Sequence, residues 1–351
     1  MPQRLDSLTG VRIFAAALVF GFHADHYGPG GEMAAFSTGM VGVSLFYILS
    51  GFVMAWTAQP DDTARAFYRR RFARVYPAYI AAWLISLVLA ISDGSLAGVD
   101  FIPPTLLQSW VPNDTVYFAG NAVFWSLSVE AFFYLTFPVI HRGLSRMDQR
   151  GLILIGAGTL VTVFAIGATF TVIPTPNTQF MSWFIVVFPL ARLPEFVLGI
   201  VLGMTVRAGW RSPIPLSMAV LLTIGGIWLA ENVPYPFSRV GATIIPFAIL
   251  VVTLATSDLR STASIFRWRW IVQLGIWSYA FYLLHAMVID VVFRVARRAG
   301  LYSDTSSGLE VYLPTAAAAI LSVVSAWLLH ALVEATLRFS NNAWELTPPR
   351  P

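Results

Sequence analysis

The chain has 351 residues, of which 57% are hydrophobic and 11% charged, with a mean hydropathy of +0.70. A soluble domain carries about 25% charged residues, so the composition excludes an ordinary soluble enzyme and predicts an all-α polytopic membrane protein. The formal charge of +4 comes with 22 basic residues that are all arginine and with no cysteine, which excludes catalytic lysine, disulfides, zinc–thiolate sites and a thiol nucleophile.

Ten stretches of the chain are long enough to cross a bilayer, since a spanning helix needs about 20 mostly apolar residues. Their predicted limits are 9–27, 39–58, 74–92, 120–140, 151–172, 181–206, 214–230, 240–257, 271–293 and 313–336. The loops are short, apart from residues 93–119. The N-terminal segment lacks the pattern of a cleavable signal peptide, so the first span is predicted to remain as an anchor. We predict one transmembrane domain over residues 1–340 and a short cytoplasmic tail over 341–351.

The arginines predict the orientation of these spans, because cytoplasmic loops carry an excess of basic residues. With the N-terminus inside, 17 arginines fall on the cytoplasmic side and four on the outside, while Arg192 lies within a span. Both termini are therefore predicted to be cytoplasmic, in a multi-pass protein of the plasma membrane.

The first span, VRIFAAALVFGFHADHY at 11–27, carries Arg12 near one end and His23 near the other. The two residues are eleven apart, which is close to three helical turns, so they share a face about 16 Å apart along the axis. A charged side chain inside a membrane normally marks function. The alternative is structural: Arg12 reaches the lipid headgroups, and His23 bonds a neighbouring carbonyl.

The third span begins within FYRRRFARVYPAY at 67–79. Arg71 and Arg74 are three residues apart and share a helix face. Their planar guanidinium groups can hold phosphates through paired hydrogen bonds, which suggests a cytosolic polyphosphate ligand. The alternative is a basic anchor for the topology, which accounts for Arg65, Arg69 and Arg70 in any case.

The fourth span, FWSLSVEAFFYLTFP at 124–138, places Glu130 in an aromatic helix. An intramembrane carboxylate is a candidate functional group, with an arginine or histidine as its expected partner. The alternative is a Glu130–arginine pair that only fixes helix packing.

Two later spans also carry polar residues. In ARLPEFVLG, Arg192, Pro194 and Glu195 predict an internal ion pair in a kinked helix. In LGIWSYAFYLLHA, Tyr282 and His285 occupy adjoining positions of one face, and the pattern favours a packed, hydrogen-bonded histidine over a second catalytic one. The five histidines of the chain are scattered, so no metal site is predicted.

Six segments resemble, in the same order, the acyltransferase-3 family of bacterial membrane-bound O-acyltransferases. They are SLTGVRIFAAALVFGFH at 7–23, GVSLFYILSGF at 42–52, RRFARVYP at 70–77, WSLSVEAFFYLTFP at 125–138, RLPEFVLG at 192–199 and LGIWSYAFYLLH at 274–285. The family's arginine and histidine on the first helix match Arg12 and His23. Its R-x-x-R pair on the third helix matches Arg71 and Arg74, and the glutamate of its W-S-L-x-x-E segment is Glu130.

The resemblance implies transfer of an acyl group, acetyl by default, from cytosolic acyl-CoA to a hydroxyl of a glycan, glycolipid or glycosylated natural product such as an antibiotic sugar. It implies that His23 is the base, a role suited to its near-neutral intrinsic pKa, and that Glu130 orients either His23 or the arginines. Arg12, Arg71 and Arg74 would hold the CoA phosphates. Acyl-CoA is then a donor substrate, and no permanently bound cofactor, metal or nucleic acid is expected.

The chain departs from the family pattern in its last span. Many members have a glutamate, one variable residue and a proline. In this chain Glu334 is followed by Ala335 and then by Thr336 in the place of the proline, which leaves the role of Glu334 open. The fused SGNH hydrolase-like domain of longer relatives is not expected. The alternative function is a multi-span transporter or flippase for a lipid-linked or sugar substrate, although no inverted repeat or matched pair of broken helices supports it.

Overall fold

The computed structural model describes residues 3–27, 36–59, 62–173, 177–303 and 306–345, with the side chains of the last helix as far as Val333. Within these ranges the chain forms helices and turns, with no strand. The α-helices are α1 Asp6–Tyr27, α2 Val41–Thr57, α3 Ala64–Asp93, α4 Asp114–Tyr117, α5 Trp125–Leu144, α6 Gln149–Val172, α7 Thr178–Ser182, α8 Pro189–Arg207, α9 Leu216–Asn232, α10 Ala242–Leu259, α11 Arg269–Arg298 and α12 Leu309–Glu345.

Seven helical segments of the described chain are long and apolar enough to cross a membrane. They are Asp6–Tyr27, Ala64–Asp93, Gln149–Val172, Thr178–Arg207, Phe237–Leu259, Arg269–Arg298 and Leu309–Val333. Helices α2 and α9 are apolar but shorter, at 17 residues each. The predicted all-α, multi-span class is therefore confirmed. The count of ten spans and the cytoplasmic location of both termini stay predictions.

Helix α3 begins ten residues before the predicted third span. Thr63 caps it by accepting a hydrogen bond from the Ala66 amide at 3.2 Å, and Gly94 ends it with a left-handed backbone at φ 69°. The arginine run therefore continues the helix instead of forming a loop. As a result, Arg71 and Arg74 project from a regular helix.

The predicted sixth span is broken. Helix α7 continues into a π-helical turn over Trp183–Val187, Phe188 is extended at φ −67° and ψ 121°, and α8 restarts at Pro189. Proline suits the first turn of a helix because its missing N–H would have no partner there. The interruption thus precedes Pro194, which lies inside α8.

Glycines allow two pairs of helices to pack with their backbones almost in contact, as small residues do in membrane interfaces. A Cβ on Gly275 of α11 would lie 2.0 Å from the Thr9 carbonyl oxygen of α1. In α2 and α8, a Cβ on Gly51 would lie 2.1 Å from the Phe196 oxygen, and one on Gly199 2.1 Å from the Ile48 oxygen. Helix α1 is therefore pressed directly against α11.

Asp258, at the end of α10, caps the start of α1. Its carboxylate accepts a hydrogen bond from the Ser7 amide at 2.8 Å and another from the Ser7 hydroxyl at 2.7 Å, and Arg267 lies 3.4 Å away. The first amides of a helix have no partner within the helix itself, so this carboxylate fixes α1 to α10.

Replacing Asp258 with alanine is expected to lower the free energy of unfolding by about 1–3 kcal/mol, because the buried Ser7 groups lose their acceptor. Thermal unfolding of the purified protein in detergent measures the effect. The Asp258→Asn variant keeps one acceptor oxygen and is expected to lose less. Identical unfolding temperatures for the wild type and the alanine variant would contradict this assignment.

Candidate active site

Arg12 and His23 share one face of α1, as predicted, and this face contacts α11. The Arg12 Nε donates a hydrogen bond to Ser278 Oγ at 3.2 Å, and the His23 ring meets the His285 ring. Ser278 and His285 are seven residues apart, close to two helical turns. The two polar residues of α1 therefore face two polar residues of α11 along one interface.

The His23 ring is buried and hydrogen-bonded through one nitrogen. Its Nδ1 lies 2.9 Å from the Val19 carbonyl oxygen and 3.2 Å from His285 Nε2, and 5% of the residue is exposed. The two imidazoles meet edge to face, with centroids 5.0 Å apart. No described residue hydrogen-bonds His23 Nε2.

His285 is a packed, hydrogen-bonded histidine, as predicted. Its Nδ1 lies 2.8 Å from the Tyr282 carbonyl oxygen and 3.3 Å from that of Phe281, and the residue is fully buried. Its contact with His23 was not predicted. The two residues are 262 positions apart, and only the docking of α11 on α1 brings them together.

Two elements fix the turn of α11 that carries His285. The Asn121 Nδ2 donates to the Leu283 carbonyl oxygen at 2.9 Å, and the Tyr282 hydroxyl donates to Ser126 Oγ at 2.8 Å. Sequence reasoning assigned no role to Asn121 or Ser126. The sequence signal for both residues is that they are polar and stand near the start of the aromatic fourth span.

The predicted phosphate-binding arginines gather at the other end of α1. The Arg12 guanidinium interacts electrostatically with Arg74 and Glu130, and Arg71 interacts with Arg74, Glu130 and Tyr134. Arg12 and Arg71 are half-buried and Arg74 is exposed. The Arg71 Nε is buried with no hydrogen-bond partner among the described residues. The guanidinium groups of Arg12, Arg71 and Arg74 repel one another. A bound anion would lower this repulsion and would accept a hydrogen bond from Arg71 Nε.

Glu130 belongs to this arginine cluster and not to His23. Its carboxylate accepts a hydrogen bond from the Tyr134 hydroxyl at 2.5 Å and from Ser50 Oγ at 3.3 Å. In the described part of the chain it makes no hydrogen bond to His23, whose ring partner is His285. Glu130 was expected to lie beside either His23 or the arginines, and the structure places it beside the arginines.

A cavity of about 150 Å³ lies at the opposite end of α1. Tyr27, one turn beyond His23, lines it with Asn121, and so do Ala286 and Met287, which directly follow His285. Asp93, Asp290 and Arg294 also line it, and Arg294 pairs with Asp93 and, at 2.6 Å, with Asp290. The cavity is therefore adjacent to the histidine pair.

The long loop over 93–119 is in part structural. Gln108 and Ser109 are fully buried. Gln108 Nε2 donates to the Phe124 oxygen at 3.0 Å, and the Trp183 Nε1 donates to the Ser109 oxygen at 2.9 Å. The middle of the loop thus holds α5 against the broken segment before α8.

The predicted ion pair in α8 is confirmed. The Arg192 Nε lies 3.0 Å from Glu195 Oε2, with side chains 2% and 0% exposed, and Arg192 also donates to Ser44 Oγ at 3.1 Å. A buried pair of this kind fixes helix packing. The side chain of Glu334 lies outside the described residues.

Comparisons with known proteins identify similar chains. A family model described as an acyltransferase domain matches residues 5–331. Acyltransferase MdmB of Streptomyces mycarofaciens is 35% identical over 94% of this chain and 91% of its own length. A putative membrane-bound transacylase, BcsY of Komagataeibacter xylinus, is 26% identical over 81% and 72%. O-acetyltransferase OatA of Staphylococcus aureus is 24% identical over 83% of this chain and 51% of its own length. No solved structure matches the chain.

Proposed function

Because this chain belongs to the acyltransferase-3 family and is a membrane-bound O-acyltransferase, we propose a specific donor and acceptor class for it. The donor is a cytosolic acyl-CoA, with acetyl-CoA as the default. The acceptor is a hydroxyl of a glycan, glycolipid or glycosylated natural product at the outer face of the plasma membrane.

One observation carries the donor assignment: the guanidinium cluster and His23 lie at opposite ends of one face of α1. Eleven residues of helix span about 16 Å, a length comparable to the pantetheine arm of CoA. Phosphates held by Arg12, Arg71 and Arg74 would let the thioester reach His23. Glu130 and Tyr134 would orient these guanidiniums.

The acceptor assignment rests on the cavity beside the histidine pair. Asp93 and Asp290 line it, and carboxylates accept hydrogen bonds from the neighbouring hydroxyls of a sugar. With the predicted orientation, this cavity faces the outside and the arginine cluster faces the cytosol. Because His23 is enclosed, the side chains between the cavity and the ring must move aside as the acceptor enters.

The reaction follows from the position of His23 Nε2. In direct transfer, Nε2 takes the proton of the acceptor hydroxyl while the oxygen attacks the thioester carbonyl carbon. The new C–O bond forms, the C–S bond breaks, and the proton passes from Nε2 to the departing thiolate. In the alternative route, Nε2 attacks the thioester carbonyl carbon, the C–N bond forms, the C–S bond breaks and the CoA thiolate leaves. The acceptor oxygen then attacks the acyl carbon, the C–O bond forms, the C–N bond breaks, and the hydroxyl proton passes through the freed Nε2 to the CoA thiolate.

Mass spectrometry of cell-surface glycans and lipids, from cells with and without the protein, tests this proposal. We expect one ester to disappear with the protein. When a glycoside with free hydroxyls is supplied as acceptor, the purified protein should also release CoA from acetyl-CoA. A thiol reagent can follow this release without background from the protein because the chain has no cysteine. An unchanged set of esters, together with no CoA release, would contradict the donor and acceptor assignment and is the result that a transporter or flippase would give.

A further inference from the structure

We infer that His285 is the positioning residue for His23: it fixes the tautomer that leaves His23 Nε2 unprotonated and aimed at the substrate. The inference rests on the proposed function only in taking His23 as the reacting histidine. Its geometric basis is a continuous series of hydrogen bonds that runs from the Tyr282 carbonyl oxygen through the ring of His285 to the ring of His23.

The position of each ring proton follows from the atoms that face it. The Tyr282 carbonyl oxygen, 2.8 Å from His285 Nδ1, can only accept a hydrogen bond, so Nδ1 carries the proton of His285. The Nε2 of a neutral His285 is then an acceptor. It faces His23 Nδ1 at 3.2 Å, so His23 must donate from Nδ1. A neutral His23 therefore has an unprotonated Nε2.

The other arrangement of protons is unfavourable at two places. If His285 donated from Nε2, its bare Nδ1 would face the Tyr282 oxygen at 2.8 Å, and the bare Nδ1 of His23 would face the Val19 oxygen at 2.9 Å. Both contacts would set one lone pair against another in a buried site, where an unsatisfied polar group is costly. The described contacts of both rings therefore select one tautomer.

Two acceptors share the His23 Nδ1 proton: the Val19 oxygen at 2.9 Å and His285 Nε2 at 3.2 Å. In α1 the Val19 carbonyl already accepts the His23 amide, four residues along the helix, so it is a shared acceptor. His285 Nε2 has no other hydrogen bond among the described residues. It is therefore the partner of Nδ1–H without a competing donor, and it can stay bonded to Nδ1–H after His23 Nε2 has taken the proton of the substrate hydroxyl.

The surroundings of His285 keep this acceptor in place. The Phe281 ring stacks on it at an interplanar angle of 6°, and Asn121 holds the backbone of the same turn. Packing alone would not require a nitrogen atom at each of these positions of the His285 ring. The hydrogen bonds of His285 can therefore be tested separately from its packing.

Nitrogen-15 NMR of histidine-labelled protein tests the tautomers directly. The spectrum of a His23→Phe variant identifies the His23 signals by their loss. In the wild-type protein near neutral pH, we expect His23 and His285 both to carry their proton on Nδ1. In the His285→Phe variant, the Nδ1–H fraction of His23 is expected to fall.

Steady-state kinetics, with CoA release from acetyl-CoA as the assay, tests the consequence. We expect His285→Phe to lower kcat by about 10²-fold, within the range that a positioned base contributes, with an unchanged KM for acetyl-CoA. His285→Gln keeps an acceptor near the place of Nε2 and should recover much of kcat. His141→Phe, a histidine stacked on Phe137 and outside this site, is the matched control and should match the wild type.

Three results would overturn the inference. They are a protonated Nε2 on His23 in the resting protein, wild-type kcat in His285→Phe, and equal loss in the Phe and Gln variants, which would reduce His285 to packing. Failure of the proposed function is a separate result. If acetyl-CoA turnover survives in His23→Ala, His23 is not the base, but the tautomers measured in the wild-type protein still hold.

Discussion

Acyl transfer is expected to fall by about 10²–10⁴-fold when His23 is replaced by alanine, the range that a positioned general base contributes. The substitution removes the proposed base and leaves His285 Nε2 without its donor. The arginine cluster is untouched, so binding of acetyl-CoA should persist while kcat collapses. CoA release and calorimetric binding, measured on the same preparation, separate the two effects.

The matched control for this variant is His141→Ala, which removes an imidazole near the end of α5. It should retain wild-type turnover. Because His23 is enclosed, alanine leaves a void, and the His23→Gln variant, with a side chain closer in size, distinguishes loss of the base from loss of packing. Wild-type turnover in either His23 variant would remove His23 from the mechanism.

Affinity for acetyl-CoA is expected to fall by about 10²-fold or more in the Arg71→Ala/Arg74→Ala double variant. Each charge-assisted hydrogen bond to a phosphate contributes about 1.5–3 kcal/mol, and about 1.4 kcal/mol is a factor of ten in Kd. Isothermal calorimetry at fixed ionic strength measures the change. At saturating acetyl-CoA, kcat should change little, because the reacting atoms are at the other end of α1.

Arg65→Ala/Arg69→Ala is the matched control, because it removes the same charge from the same helix at two exposed positions. It should weaken binding only slightly. An Arg71→Lys/Arg74→Lys variant keeps the charge but loses the planar donor fork, so intermediate affinity is expected. Equal losses in the two alanine pairs would assign these arginines to membrane topology instead of phosphate binding.

The all-α, multi-span class could be predicted because the length of an apolar stretch is what identifies a membrane span. The sequence also placed Arg12 and His23 on one face, since this depends only on helical periodicity. The break at Phe188 was not predicted, because a π-helical turn leaves no compositional signal beyond Pro189. The length of α3 was underestimated because a run of arginines resembles a loop.

The candidate site was predicted only in part, because its key contact joins distant parts of the chain. Nothing local to His23 indicates His285, and periodicity within α11 cannot say which helix faces it. Glu130 could be recognised as a candidate functional group from its place in an apolar span, but whether it lies beside the arginines or beside His23 depends on how α5 packs. The buried Gln108 and Ser109 were hidden in a loop whose composition resembles an exposed segment.

The contact of Gly275 with the Thr9 backbone also bears on how the enzyme tolerates its lipid surroundings. Helices in a bilayer respond to a change in hydrocarbon thickness by tilting, and side-chain interfaces allow them to slide as they do so. Helices α1 and α11 meet through their main chains near one end, so they must tilt as a unit. The hydrogen bond between Arg12 and Ser278, three residues further along each helix, is thereby insulated from hydrophobic mismatch.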